Sequence, residues 1–122
     1  MSFLMVALFM GNFVVTSYQA VPEQTRPQGF EWTASGEKTN VHGVAVSQDM
    51  LKRNGGDFTF GDMVWIEGGV GLKFINDTMN VRHKKRFDVL VPTHEAEVKF
   101  DRAFKGKKLK VWLIRVPKEM SK

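Results

Sequence analysis

Six short apolar runs, separated by glycine, proline or polar residues, divide this chain: Phe13 to Tyr18, Val41 to Val46, Met63 to Glu67, Leu72 to Ile75, Arg86 to Val91 and Lys108 to Arg115. In the last of them Leu109, Val111 and Leu113 alternate with Lys108, Lys110, Trp112 and Ile114, which is the period of a strand with one buried face. Two stretches read as short helices. Ser47 to Gly55 has Ser47 as N-cap, Asp49 in the first turn, Lys52 and Arg53 in the last, and Gly55 to close it. Thr93 caps the other, from His94 to about Asp101, with Glu95 and Glu97 near its positive end. So many short strands on so small a chain, joined by loops of unequal length, predict a mainly β protein closed into a small barrel rather than an open sheet.

With 122 residues the chain fits one domain. A hydrophobic fraction of 43% with 25% charged residues is a globular composition. There is no cysteine, which excludes disulfides, thiol nucleophiles and cysteine-type zinc sites. His42, His83 and His94 lack the spacing and the carboxylate neighbours of a zinc site, so no metal is assigned. The net charge of +5 favours an anionic partner without choosing among nucleic acid, a membrane surface and a cell-wall polymer.

Met1 to Val15 carries no charge but is too short, and too interrupted by Gly11-Asn12, for a stable membrane span. It divides into an apolar segment over residues 1–12 and the first strand, from Phe13. Ser2 to Met10 reads equally as the remnant of an export or anchor segment and as an N-terminal strand that docks on the domain. The domain itself is expected over 13–116, with a tail at 117–122. From Gln19 to Lys38 the chain is polar and turn-rich, with Trp32 exposed by its company and the small-residue run Thr33-Ala34-Ser35-Gly36 beside it. Trp65, between Val64 and Ile66, is expected in the barrel core, and Trp112 over a barrel end.

Asp77 and Asp88 stand out chemically, eleven positions apart. A strand through Arg86-Phe87-Asp88-Val89-Leu90-Val91 points Phe87, Val89 and Val91 one way and Arg86, Asp88 and Leu90 the other, which leaves Asp88 half-buried. Desolvation raises a carboxyl pKa, so such a group keeps a proton that it can donate. The plainer readings are a turn aspartate at Asp77 and an ion-paired strand residue at Asp88.

Thr33-Ala34-Ser35-Gly36, Gly43-Val44-Ala45-Val46, Gly61-Asp62-Met63-Val64-Trp65-Ile66-Glu67-Gly68, Asn76-Asp77-Thr78, Phe87-Asp88-Val89 and Val111-Trp112-Leu113-Ile114 resemble, in that order, the three-aspartate (3D) domain. This is the double-psi β-barrel family related to membrane-bound lytic transglycosylase A. The resemblance runs from about Phe13 to Arg115. It implies a six-stranded double-psi barrel and a cofactor-free lytic transglycosylase that cleaves the β-1,4 bond between N-acetylmuramic acid and N-acetylglucosamine. Asp88 matches the catalytic acid/base, and Asp77 a supporting carboxylate whose charge is expected to raise the Asp88 pKa. Trp32, Thr33, Ser35 and Ser47 are the candidate substrate-binding residues. Glycan strands of peptidoglycan are the implied partner, and the implied location is the cell envelope, the periplasm or the exterior, or, for a phage protein, the host wall. The chain departs from the family pattern in the loop from Lys52 to Phe60, which is longer than usual, and in three further places. Ser47 stands where the first aspartate is usual, Asp49 comes two residues late, and Met79-Asn80 replaces the usual Gly-Gly.

Arg82-His83-Lys84-Lys85-Arg86 and the lysines at 105, 107, 108 and 110 carry the alternative, a non-catalytic barrel that binds cell-wall glycan or single-stranded nucleic acid. Nucleic acid is not the expected partner under the first reading.

Overall fold

A computed structural model describes residues 4–20, 33–36 and 42–116. Six strands, β1 (Val6–Tyr18), β2 (Gly43–Val46), β3 (Met63–Ile66), β4 (Gly71–Thr78), β5 (Arg86–Leu90) and β6 (Lys108–Arg115), close into a barrel in the order β1-β5-β2-β4-β3-β6. The pairs β1/β5 and β2/β4 are parallel and the other four are antiparallel. The protein is thus the mainly β closed barrel that the strand pattern predicts. Trp32 lies outside the described residues.

Alternation along each strand fills the interior. Val44, Val46, Val64, Ile66, Ile75, Phe87 and Val111 are fully buried, and burying each such side chain contributes about 1.5–3 kcal/mol. Phe87 is central, with Phe13 and Phe58 meeting its ring edge-on at centroid distances of 5.2 and 5.7 Å.

Two bulges change which residues face inward, because a one-residue slip moves every later side chain to the opposite face. In β1 the register with β6 shifts between Phe9 and Gly11, where Gly11 has φ 122°. Phe13 therefore packs on the core while Phe9, four positions earlier, is exposed. The same bulge lets β1 run back to Val6, seven residues before the start expected from sequence. Its first half pairs with β6, so Val6 to Met10 forms a barrel strand.

The second bulge lies in β4, where Ile75 pairs with Val44 but Asp77 with Ala45. Asn76 is the extra residue, buried at 3% exposure against Gly43, whose missing Cβ would fall 2.5 Å from the Asn76 amide nitrogen. Sequence alone suggests a turn over Asn76 to Thr78, yet these residues complete the strand.

The helix α1 (His94–Phe104) is capped by Thr93, whose Oγ1 accepts from Ala96 N at 3.1 Å, and runs three residues beyond the expected end. Phe100 and Phe104 on α1 pack against the core. The first expected helix is two 3-10 turns, Gln48–Met50 and Lys52–Asn54, closed by Gly55 at φ 90°. Among the described residues no helix is long and apolar enough to cross a membrane.

Trp65 corrects the sequence reading. Val64 and Ile66 take the two inward positions of β3, so the residue between them must face out, and Trp65 is 47% exposed. It belongs to a row that crosses four strands, Phe9–Trp112–Trp65–Leu72, on the outer surface. Trp112 thus lies on the barrel wall, with its ring 5.5 Å from that of Phe9.

Candidate functional site

A second row on the outer surface holds the two aspartates. Ala45 on β2 is the register partner of Asp77 on β4 and of Asp88 on β5, and Asp88 pairs in turn with Thr16 on β1. Asp77, Ala45, Asp88 and Thr16 therefore form one line across four neighbouring strands. The β4 bulge makes this possible, since an unbroken alternation from the exposed Leu72 and Phe74 would send Asp77 inward.

Asp88 is partly buried. Thr16 Oγ1 donates a 2.8 Å hydrogen bond to its Oδ1. Burial pushes the Asp88 pKa up to about 6, against the pull of that hydrogen bond and of Arg86; Glu97 and Asp101 on α1 add like-charge repulsion in the same upward direction. Asp77 is not a source of this shift. Two strand spacings, roughly 10 Å, separate the Asp77 and Asp88 backbones, and the like charges that act on Asp88 come from the helix instead.

Asp77 works as an anchor. Its Oδ1 accepts from Ala34 N and from Thr78 N, both at 2.9 Å. Ser35 N donates to Asn76 O at 3.1 Å, so the bulge and the carboxylate together fasten the turn over 33–36 beside the aspartate row. Within that turn Thr33 Oγ1 and Ser35 Oγ lie 2.8 Å apart in a mutual hydrogen bond, and Gly36 N donates to Thr33 O. Both hydroxyls are thus engaged in building the turn.

Tyr18, the chain's only tyrosine, joins the two carboxylates. It ends β1 two residues after Thr16, on the same face, and packs with Ala45 and Leu90 in a small satellite cluster. Burial raises its phenol pKa strongly, and the charges of Asp77 and Asp88 and a hydrogen bond to Asp77 push it further. The phenol stays protonated and donates. From sequence Tyr18 is the end of the first strand and a candidate base-stacking ring under the nucleic-acid alternative, not a partner of the aspartates; the available signal was its place on the Thr16 parity of that strand.

Ser47 is fully buried, and its Oγ accepts from Arg86 N at 3.0 Å while its own N donates to Arg86 O. It extends the β2/β5 ladder and makes no side-chain cap to the 3-10 turn that follows. Asp49 accepts from Lys85 N through both oxygens at 3.2–3.3 Å, which holds Lys85 at φ 49° just before β5. Ser47 and Asp49 thereby fix the chain entering the Asp88 strand.

Beside Thr16 opens a cleft of about 490 Å³ between β1, β5 and α1. Val14, Phe100 and Phe104 give it apolar walls, and Arg86, Lys105, Lys107 and Lys108 outnumber Asp101 at its rim. The fold thus brings together cations that the sequence holds in two separate clusters. Among the described residues no three His, Asp or Glu side chains converge as metal ligands.

Comparison with protein-family models and with curated proteins finds no match.

Proposed function

We propose that the aspartate row is the active site of a metal-independent lytic transglycosylase acting on the N-acetylmuramic acid to N-acetylglucosamine β-1,4 bond of peptidoglycan. The observation that carries this reading is a half-buried carboxyl, Asp88, that holds its proton to about pH 6 next to a cleft of ligand size. A neutral Asp88 donates its proton to the bridging oxygen as the glycosidic bond breaks, and the sugar passes through an oxocarbenium-like state. The resulting carboxylate, which Thr16 stabilises by its hydrogen bond, then takes the proton from the muramyl C6 hydroxyl as that oxygen attacks C1 of its own ring. An internal nucleophile has a high effective molarity, so neither an activated water nor a second carboxylate is needed.

This division of labour agrees with the roles of the neighbouring groups. Asp77 and Tyr18 position the 33–36 turn and the end of β1, while α1 supplies the negative charges that discourage early ionisation of Asp88. The cationic rim of the cleft suits the carboxylates of peptide stems on the glycan.

The test is digestion of purified peptidoglycan with product masses read by mass spectrometry. Products one water lighter than hydrolysis gives, lost in Asp88→Asn, are the expected result. Free reducing ends would indicate a muramidase. Because the rim is cationic, the second reading is a barrel that binds anionic wall polymer or single-stranded nucleic acid without turnover. Equal glycan binding by wild type and Asp88→Asn, with no products from either, would favour it. Steeply salt-dependent binding of single strands would favour the nucleic-acid form.

A further inference from the structure

The outer wall formed by β1, β6, β3 and β4 carries an apolar surface that the aspartate chemistry does not use. Next to the row Phe9–Trp112–Trp65–Leu72 runs a second, Ala7–Ile114–Met63–Phe74, again in strand register. Phe9 is 53% exposed, Trp65 47%, Phe74 44% and Leu72 40%, and neither row contains a charge. Large aromatic and aliphatic side chains contiguous on one face mark an interaction surface, since single-chain soluble proteins rarely leave such patches bare. With Phe9, Trp65 and Phe74 near half exposure, Trp112 partly covered among them and Leu72 beside them, the surface offers on the order of 500 Å² per copy, a large part of the ~800 Å² that a stable interface needs from each partner.

We infer that this face is a dimer interface and that its occupant is a second copy of the same chain. Three features select that partner. The rim next to Trp112 and Trp65 holds one cation and one anion on adjacent strands, Lys110 on β6 and Glu67 just after β3. Lys110 N donates to Glu67 Oε1 at 2.8 Å, which pins the carboxylate at this edge. Among the described residues the only salt bridge is Lys99 to Glu95, so the Lys110 ammonium has no carboxylate of a described residue within 4.0 Å. Across a two-fold axis Lys110 of each copy can meet Glu67 of the other, the self-complementarity that an isologous contact requires.

Secondly, the charge distribution favours self-association through this wall. The basic residues 82–86 lie on β5 and the loop before it, and Lys105 and Lys107 on the turn after α1, while Lys108 opens β6 four positions before Trp112. Two chains of net charge +5 that meet through the uncharged rows keep these segments out of the contact. An anionic bilayer would instead call for a surplus of cations around the apolar face, and Glu67, held beside Lys110, offsets the cation at that rim.

Thirdly, the first half of β1, Val6 to Phe13, pairs only with β6 among the described residues. Its sequence Val6-Ala7-Leu8-Phe9-Met10 has none of the lysines or prolines that protect exposed strand edges. A second copy against this wall shelters that edge together with the aromatic row.

Sedimentation velocity on the full chain over a range of concentrations tests the inference. A concentration-dependent dimer is expected in the wild type, with Trp65→Lys weakening it at least ~30-fold, as a central aromatic contact would. Because Trp65 is exposed in the monomer, the variant should keep its circular dichroism spectrum. Glu67→Lys and Lys110→Glu should each weaken the dimer, and the double exchange should restore it. A wild type that stays monomeric at high concentration overturns the inference, as does a dimer indifferent to Trp65→Lys. A monomer that binds phosphatidylglycerol vesicles through the same face overturns it in favour of a lipid surface.

Discussion

Two rows of side chains, each crossing four strands of the same barrel, show how differently one outer surface can be used. Asp77–Ala45–Asp88–Thr16 lies on β4-β2-β5-β1, next to the 33–36 turn and acidic residues of α1, and every polar group in it is tied to a neighbour. Phe9–Trp112–Trp65–Leu72 lies on β1-β6-β3-β4 and is largely bare. Shelter alters the acidity of the first row, because a carboxyl removed from water changes its pKa. Exposure leaves the second open to a partner, because apolar area in water is worth covering. Strands β1 and β4 contribute to both rows, and each switches face at a bulge between its two contributions.

The largest expected effect breaks the comparison at its reactive end. Asp88→Asn should reduce peptidoglycan cleavage by at least ~100-fold, the usual scale for removal of a general acid. It should also stabilise the fold. Burial raises the folded-state pKa from 3.8 to about 6, so the native protein holds the extra proton between those values. Stability is accordingly lost as pH rises through that window and levels off above it. At pH 7 the neutral amide should therefore gain on the order of 2 kcal/mol in denaturant unfolding, since Thr16 can still donate to the amide oxygen.

Next in size is a pair of adjacent residues on β3. Val64→Ala should cost about 2–3 kcal/mol, because it opens a cavity in a fully buried site. Trp65→Ala should change monomer stability by less than ~1 kcal/mol despite removing more atoms. Thermal unfolding of dilute samples separates the two. Equal costs would place Trp65 under cover.

Gly43→Ala tests the bulge that brings Asp77 into line with Asp88. A methyl there meets the Asn76 amide, so a loss of about 1–3 kcal/mol is expected, the range for overpacking. Asn76→Ala introduced with it should recover part of that loss. Smallest is Tyr18→Phe, which removes the phenol that donates to Asp77 and should cost about 1 kcal/mol with little change in the pH dependence of cleavage.

Much of the barrel was legible because period-two alternation reports burial directly. The inward set Leu109, Val111 and Leu113, the faces of β5, and the Thr93 cap all follow from local pattern. The bulges were not legible. Gly11 read as an interruption between two segments, whereas at φ 122° it is the residue that lets one strand continue on the other parity. Asn76-Asp77-Thr78 has the composition of a turn, and only Gly43 on the neighbouring strand reveals why Asn76 can be accommodated within strand β4.

Among the candidate site residues, Asp88 was identifiable from the strand that surrounds it. Its neighbours were not, since Thr16, Tyr18, Glu97 and Asp101 come from distant parts of the chain and reach it only through parallel pairing and helix packing. Trp65 misled for a related reason: a large aromatic between two aliphatics suggests a core, yet strand geometry allows only alternate residues inside.

The claim on which the rest depends is that Asp88 keeps its proton well above the ordinary carboxyl range. Carboxyl-carbon NMR, following Asp88 through a pH titration and assigned by its loss in Asp88→Asn, measures this directly. A midpoint near 6 is expected, displaced upward in Thr16→Val, where the hydrogen bond that favours the carboxylate is gone, and unmoved in Asp77→Asn. A midpoint near 4 in the wild type would contradict the account.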